Sequence, residues 1–280
     1  MRHLPLAITA VLLTSGAWAG GNVKINKTPL KVGDTGTVSE TLKMNIDLNI
    51  TMGANGNMNG TMIAQRDVKR EYEVLEMGPA GPARVKVTYA VATNHEEMLG
   101  QAKDEAMPVQ GNTYVMTLDG EGDVSSVVVD GGAEVPGPAR TYLMGDGFIS
   151  TGGLHFAQNE TESLPVGTSL IELANIGGAM PKFDFENGEI SATLSGSRKD
   201  EGHKVGVIDM VIKGTFNEGS MSFGFDGSGE MLIHQKAGHI HGMNLTAPIT
   251  LSGKETTPDG MNMEMSGKGT MEMLLATRRN

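Results

Sequence analysis

The chain predicts an all-β protein with minor helix: a large curved antiparallel sheet or half-barrel, with two related sheet halves and short covering helices. Three observations carry this. Apolar and polar residues alternate through long segments, as in LKMNIDLNITM, where Met44, Ile46, Leu48, Ile50 and Met52 share one parity. A two-residue period of that length is a strand with one buried and one wet face. Turn-forming groups such as GANGN, PAGP and DGEGD separate these segments. Finally, 39 Gly and 20 Met accompany only 4% aromatics and no Cys, so flexible thioethers take the place of the Phe and Tyr usual in β cores.

The opening residues, MRHLPLAITAVLLTSGAWAGG, read as a secretory signal peptide: Arg2, an apolar run from Leu4 to Leu13, and small residues at Ala17 and Ala19. The run is shorter than the roughly 20 residues that span a bilayer. The expected organisation is a signal peptide at 1–19, an N-terminal antiparallel half at 20–131, a Gly/Pro-rich connector or flap at 132–187, and a C-terminal antiparallel half at 188–280. Cleavage near Ala19 places the protein in the periplasm or outside the cell. No Cys is available for a lipoprotein anchor or a disulfide.

In the first half, LKMNIDLNITM, MNGTMIAQRDVKREYEVLEM and ARVKVTYAVAT read as successive strands, and NTYVMTLDGEGDVSSVVVDG as a hairpin. Between them, NHEEMLGQAKDEAM predicts one short helix capped by Asn94. The pattern then loosens, with a helical turn or two around Ala139 to Met144; loops of this length are commonly functional. Strands resume at GEISATLSGSRKDEGHKVGVIDMVIKGTFN, joined across SRKDEGH, and continue through SMSFGFDGSGEMLIHQ, GHIHGMNLTAPITLSGKE and MNMEMSGKGTMEMLLATR. In the last, Met261, Met263, Met265, Gly267, Gly269, Met271 and Met273 fall on the buried face. Shared MN and G-T-M steps suggest an internal duplication of the two halves.

A formal net charge of −11 argues against nucleic-acid binding, which needs clustered Lys and Arg. No nucleophile–base pair, phosphate loop or dinucleotide motif is present, so no catalytic residue and no cofactor is assigned. His95 in HEEML lacks the second His of a zinc-protease helix. Asp119, Glu121 and Asp123 are spaced like the first ligands of a calcium loop. Val124 and Asp130 nevertheless occupy the positions that need Gly and Glu, and a hairpin turn explains the spacing better. The pairs Glu96/Glu97 and Asp184/Glu186 carry no assigned role.

HQKAGHIHGMN is the one chemically loaded stretch. A strand there puts His239, His241 and Met243 on one face at steps of about 6.7 Å. Imidazole suits copper, zinc or nickel, and thioether suits Cu(I). These three are the candidate metal ligands, set against ordinary strand packing as the competing account.

SLPVGTSLIEL after a Pro/Gly-rich middle resembles the entry to the second half of a family of secreted bacterial β-rich proteins of unknown function. GEISATLSGSRKDEGHKVGVIDMVIKGTF followed by GSGEMLIHQKAGHIHGMNLTAPITLSG is similar to that family's closing meander. The resemblance covers about residues 30 to 255 and implies long antiparallel sheets like the half-barrels of periplasmic lipoprotein carriers. It transfers no catalytic residue, and a fold-level likeness is not shared activity. The functional expectation is an exported, non-enzymatic envelope protein holding an apolar ligand such as a lipid in a Met/Leu/Ile-lined trough. Periplasmic copper binding through His and Met, or a structural or partner-binding role, are the alternatives.

Overall fold

The computed structural model describes residues 21–26, 28–52, 56–79, 81–119, 123–144, 161–170, 188–256 and 262–280. The signal-peptide segment, Glu121, Asp184, Glu186 and Met261 lie outside the described residues. The N-terminal strands are β1 (Asn22–Asn26), β2 (Thr35–Met52), β3 (Asn57–Met77), β4 (Pro82–Met98), β5 (Gln101–Ala106), β6 (Thr113–Leu118) and β7 (Val124–Val129). Helix α1 (Gly137–Met144) and β8 (Thr161–Pro165) follow. The C-terminal strands are β9 (Glu189–Asp200), β10 (His203–Glu218), β11 (Met221–His234), β12 (Ile240–Thr256) and β13 (Asn262–Arg279).

Eleven strands form one open antiparallel sheet in the order β7-β6-β4-β3-β2-β13-β12-β11-β10-β9, with β5 beside the end of β4. The two sequence halves are the two sides of this single sheet. They meet where β2 pairs with β13, from Gly36↔Arg279 to Met52↔Met263. Strands β1 and β8 make a separate ribbon.

Alternation behaves as the sequence predicts. Along β13, Met271, Met273 and Leu275 are buried while Glu272 and Leu274 are exposed. One face of the sheet, here the inner face, carries two apolar clusters. The larger joins Ile46, Leu48, Met231, Ile233, Met243, Met271 and Met273, and Val23 and Ile25 of β1 and Leu170 cover part of it. The smaller gathers Val85, Val87, Tyr89, Tyr114 and Met116 under Ala139 and Leu143 of α1. Tyr89 meets Tyr114 and Tyr142 edge-on, each with ring centroids 6.0 Å apart. Gly267 and Gly269 interrupt the methionine series for a steric reason. A Cβ at Gly267 would strike Ile46, and one at Gly269 the Asn45 carbonyl.

The short helix expected over 94–107 does not form. β4 stays paired with β3 to Met62↔Met98, then turns back into β5 through Leu99 and Gly100. Both turn residues have positive φ, 53° and 79°, as a two-residue type I′ hairpin requires. Ladder bonds along β3 outweigh the local helix preference of Glu and Ala. Strand β5 is exposed throughout, and its Lys103, Asp104 and Glu105 discourage further strand pairing at that edge. The helical turns expected around Ala139 to Met144 are present as α1. The described parts of the connector lie at opposite ends of the sheet. α1 packs by β7, and residues 167–170 bond to β9 through Gly167 N–H to Leu194 O, 2.8 Å, and Leu170 N–H to Ala192 O, 2.8 Å.

Candidate functional site

At one end of β9 to β12 the fold gathers four histidines. His203 opens β10 directly after the Glu201-Gly202 turn, where Asp200 pairs with it across the hairpin. His234 closes β11 opposite Val205. Both belong to the outer face of the sheet, beside the small apolar pad Val205, Val207 and Leu232. His239 lies in the loop between β11 and β12, fixed by His234 N–H to His239 O, 2.9 Å, and Gly238 N–H to His234 O, 2.7 Å.

His241 is the extra residue of a β-bulge. Leu232 pairs with Gly242, but Ile233 pairs with Ile240, leaving His241 without an opposite number. The bulge breaks the alternation, so Ile240 and Met243 both point into the core. His239, His241 and Met243 therefore do not share a face as an unbroken strand would have placed them. His239 and His241 join His203 and His234, while Met243 packs in the inner cluster with its cross-strand partners Met231 and Leu275.

The rings are in mutual contact. His234 Nε2 lies 3.1 Å from His203 Nδ1. Ring centroids are 4.9 Å apart for His203/His234, 5.5 Å for His203/His241 and 6.1 Å for His234/His241. His239 stacks on His234 at 5.2 Å and 10°. Asp200 Oδ2 takes His241 Nε2 at 3.1 Å. The Nδ1 atoms of His234 and His239 are buried without a hydrogen-bond partner. Burial, reinforced by His234 and Arg279, holds His239 down to about 4, and burial with His203 and His241 lowers His234. These two rings are neutral at pH 7, with lone pairs free to accept. As they stand, no three His, Asp or Glu side chains among the described residues form a metal-holding group. A cleft of about 290 Å³ borders the cluster, lined in part by Asp200, Glu201, His241 and Arg278.

A second polar feature sits on the inner face. Glu40 of β2 accepts from Arg66 at 2.6 Å and from Arg70 at 2.8 Å, and Arg70 lies 6.0 Å from the Tyr89 ring centroid. At the end of that face away from the histidines, Met221, Gly253, Met265, Ile50 and Met58 are successive cross-strand neighbours over five strands. Met52, Met221, Met263 and Met265 are half-buried there, and Met58 and Met98 are 41% and 43% exposed.

Other sequence candidates are ordinary structure. Asp119 and Asp123 close the β6–β7 hairpin, with Asp123 N–H donating to Asp119 Oδ1 at 2.9 Å. Asp130 pairs with Lys86 at 2.6 Å, and His95 with Asp104 at 2.7 Å. His234 opens the HQKAGHIHGMN stretch, but its place across the turn is not fixed by sequence, and His203 is not singled out at all. The signal that finds them is the hairpin register, which an even hairpin count from the Glu201-Gly202 and Gly219-Ser220 turns would give. Among the described residues no helix is long and apolar enough to cross a membrane. No protein-family model matches the chain, and no curated protein matches it.

Proposed function

We propose that this is a non-enzymatic binding protein of the bacterial envelope that holds an apolar or amphipathic guest, such as a lipid, against the inner face of its sheet. The observation that carries this reading is the partly exposed methionine row at the end of that face away from the histidines. Water-accessible thioethers on the same parity as a packed core are surface that a guest can cover. Burying one Met fully contributes about 1.5–3 kcal/mol. Completing the burial of these six partly covered ones contributes roughly 5–9 kcal/mol, comparable to the ~8 kcal/mol of a micromolar complex. The signal-like N-terminus supports export.

Native mass spectrometry of protein purified from its own host tests the reading. The expected result is a bound mass that organic solvent extracts, together with slower peroxide oxidation of Met58, Met98 and Met265 in the loaded form. A clean apo mass, with oxidation rates unchanged by added lipid, overturns it in favour of a structural or partner-binding role.

A further inference from the structure

We infer that His203, His234, His239 and His241 form a binding site for one divalent transition ion of the imidazole-preferring class, Zn²⁺ or Cu²⁺. The site is on the outer face of the sheet and does not depend on guest binding at the inner one.

Spacing is the first argument. With metal–nitrogen bonds of about 2.0–2.1 Å, two nitrogens of a tetrahedral site stand roughly 3.4 Å apart and their ring centroids about 5 Å apart. His203 Nδ1 and His234 Nε2 are 3.1 Å apart. The centroid separations of 4.9, 5.5 and 6.1 Å among His203, His234 and His241 bracket the tetrahedral value. The centroids of His203, His234 and His241 stand at ligand spacing, and the rings must rotate for their nitrogens to converge, since as they stand no three form a metal-holding group. That rotation gives up the His203–His234 hydrogen bond, a loss of about 1 kcal/mol.

Satisfaction of polar atoms is the second. Nδ1 of His239 is buried and unpartnered, a rare and costly state in a native fold. An ion ligated through that nitrogen relieves it. Asp200 on His241 Nε2 is the carboxylate that commonly fixes the tautomer of a ligating histidine, and it leaves Nδ1 as the coordinating nitrogen. The adjoining cleft gives an ion a way in.

Ligand type is the third. The chain has no thiolate, and Met243 is committed to the core. An all-imidazole set selects Zn²⁺ or Cu²⁺ over Cu⁺.

The test is titration of chelator-stripped full chain with Zn²⁺ and Cu²⁺ by calorimetry, and with Co²⁺ by visible absorption. One ion per chain with a micromolar or tighter Kd at pH 7.5 is expected. His203→Gln and His241→Gln should each weaken binding at least 100-fold, and Asp200→Asn about 10- to 100-fold. His95→Gln, on the far side of the sheet order, should change nothing. His203 is exposed, so its variant should fold, which circular dichroism checks. Binding weaker than about 1 mM overturns the site, as does binding that survives both His203→Gln and His241→Gln in folded protein.

Discussion

His203 Nδ1 stands 3.1 Å from His234 Nε2, one step beyond the Val205↔His234 rung that ends the β10–β11 ladder. This contact anchors a cluster whose innermost ring, His239, is held near 4 by burial and by neighbouring positive charge.

For metal-free protein the cluster implies a pH dependence of definite sign. An unfolded histidine takes up its proton near pH 6.5, the folded His239 only near about 4. Between those values the unfolded chain binds more protons, so stability falls as pH drops through the window and is recovered above it. The contribution is of the order of 3 kcal/mol when complete. Urea midpoints at pH 7.5 and pH 4.5, with chelator present, should differ more for the native chain than for His239→Gln. Equal differences in the two proteins would remove His239 as the cause.

Glu40 is nearly buried and shared by two guanidiniums, of which Arg70 is buried and Arg66 has 34% of its side chain exposed. Removing the carboxylate takes an ion-pair partner from a buried cation, so Glu40→Gln should cost about 3–5 kcal/mol. Arg66→Ala, at the wetter end, should cost about 1 kcal/mol or less. Denaturant unfolding of both variants checks the order, which the reverse ranking would refute.

Gly269 lies against the backbone of Asn45 and Ile46. Gly269→Val should destabilise by about 1–3 kcal/mol through overpacking, with the β2–β13 seam absorbing the strain. Lys268→Ala, one residue away on the exposed face, should stay within about 0.5 kcal/mol. Thermal unfolding of the pair separates a seam defect from a general loss in β13.

Glu201 holds φ at 46° ahead of Gly202 at 85°, the two left-handed positions of a type I′ turn. Asn accepts that conformation better than Glu, and the Glu201–Arg278 pair at 3.7 Å is exposed on both sides. Glu201→Asn should therefore stabilise by about 0.5–1 kcal/mol, a rise of roughly 2 °C in Tm. A lower melting temperature would show that the Arg278 contact matters more than the turn.

Much of this fold is legible in single segments. Met44 to Met52 and Met263 to Met273 announce their buried parity because a side chain's face on a strand depends only on its neighbours in sequence. DGEGD and SRKDEGH announce hairpins for the same reason. The segment from Asn94 to Met107 misleads because its composition favours helix, while β3 pairs with its first half up to Met98 and its second half folds back on β4 as β5. The histidine cluster was partly legible: His234, His239 and His241 stand out in HQKAGHIHGMN, but His203 does not.

The sequence by itself determined the long alternating strands, their buried faces and most of the turns between them, all of them properties of local backbone geometry and side-chain alternation. Tertiary structure decided the union of both halves through β2 and β13, the bulge that separates His241 from Met243, and the register that carries His203 and His234 to the same place. Those depend on pairing between distant segments, where the shift of one residue by a bulge changes which side chains meet.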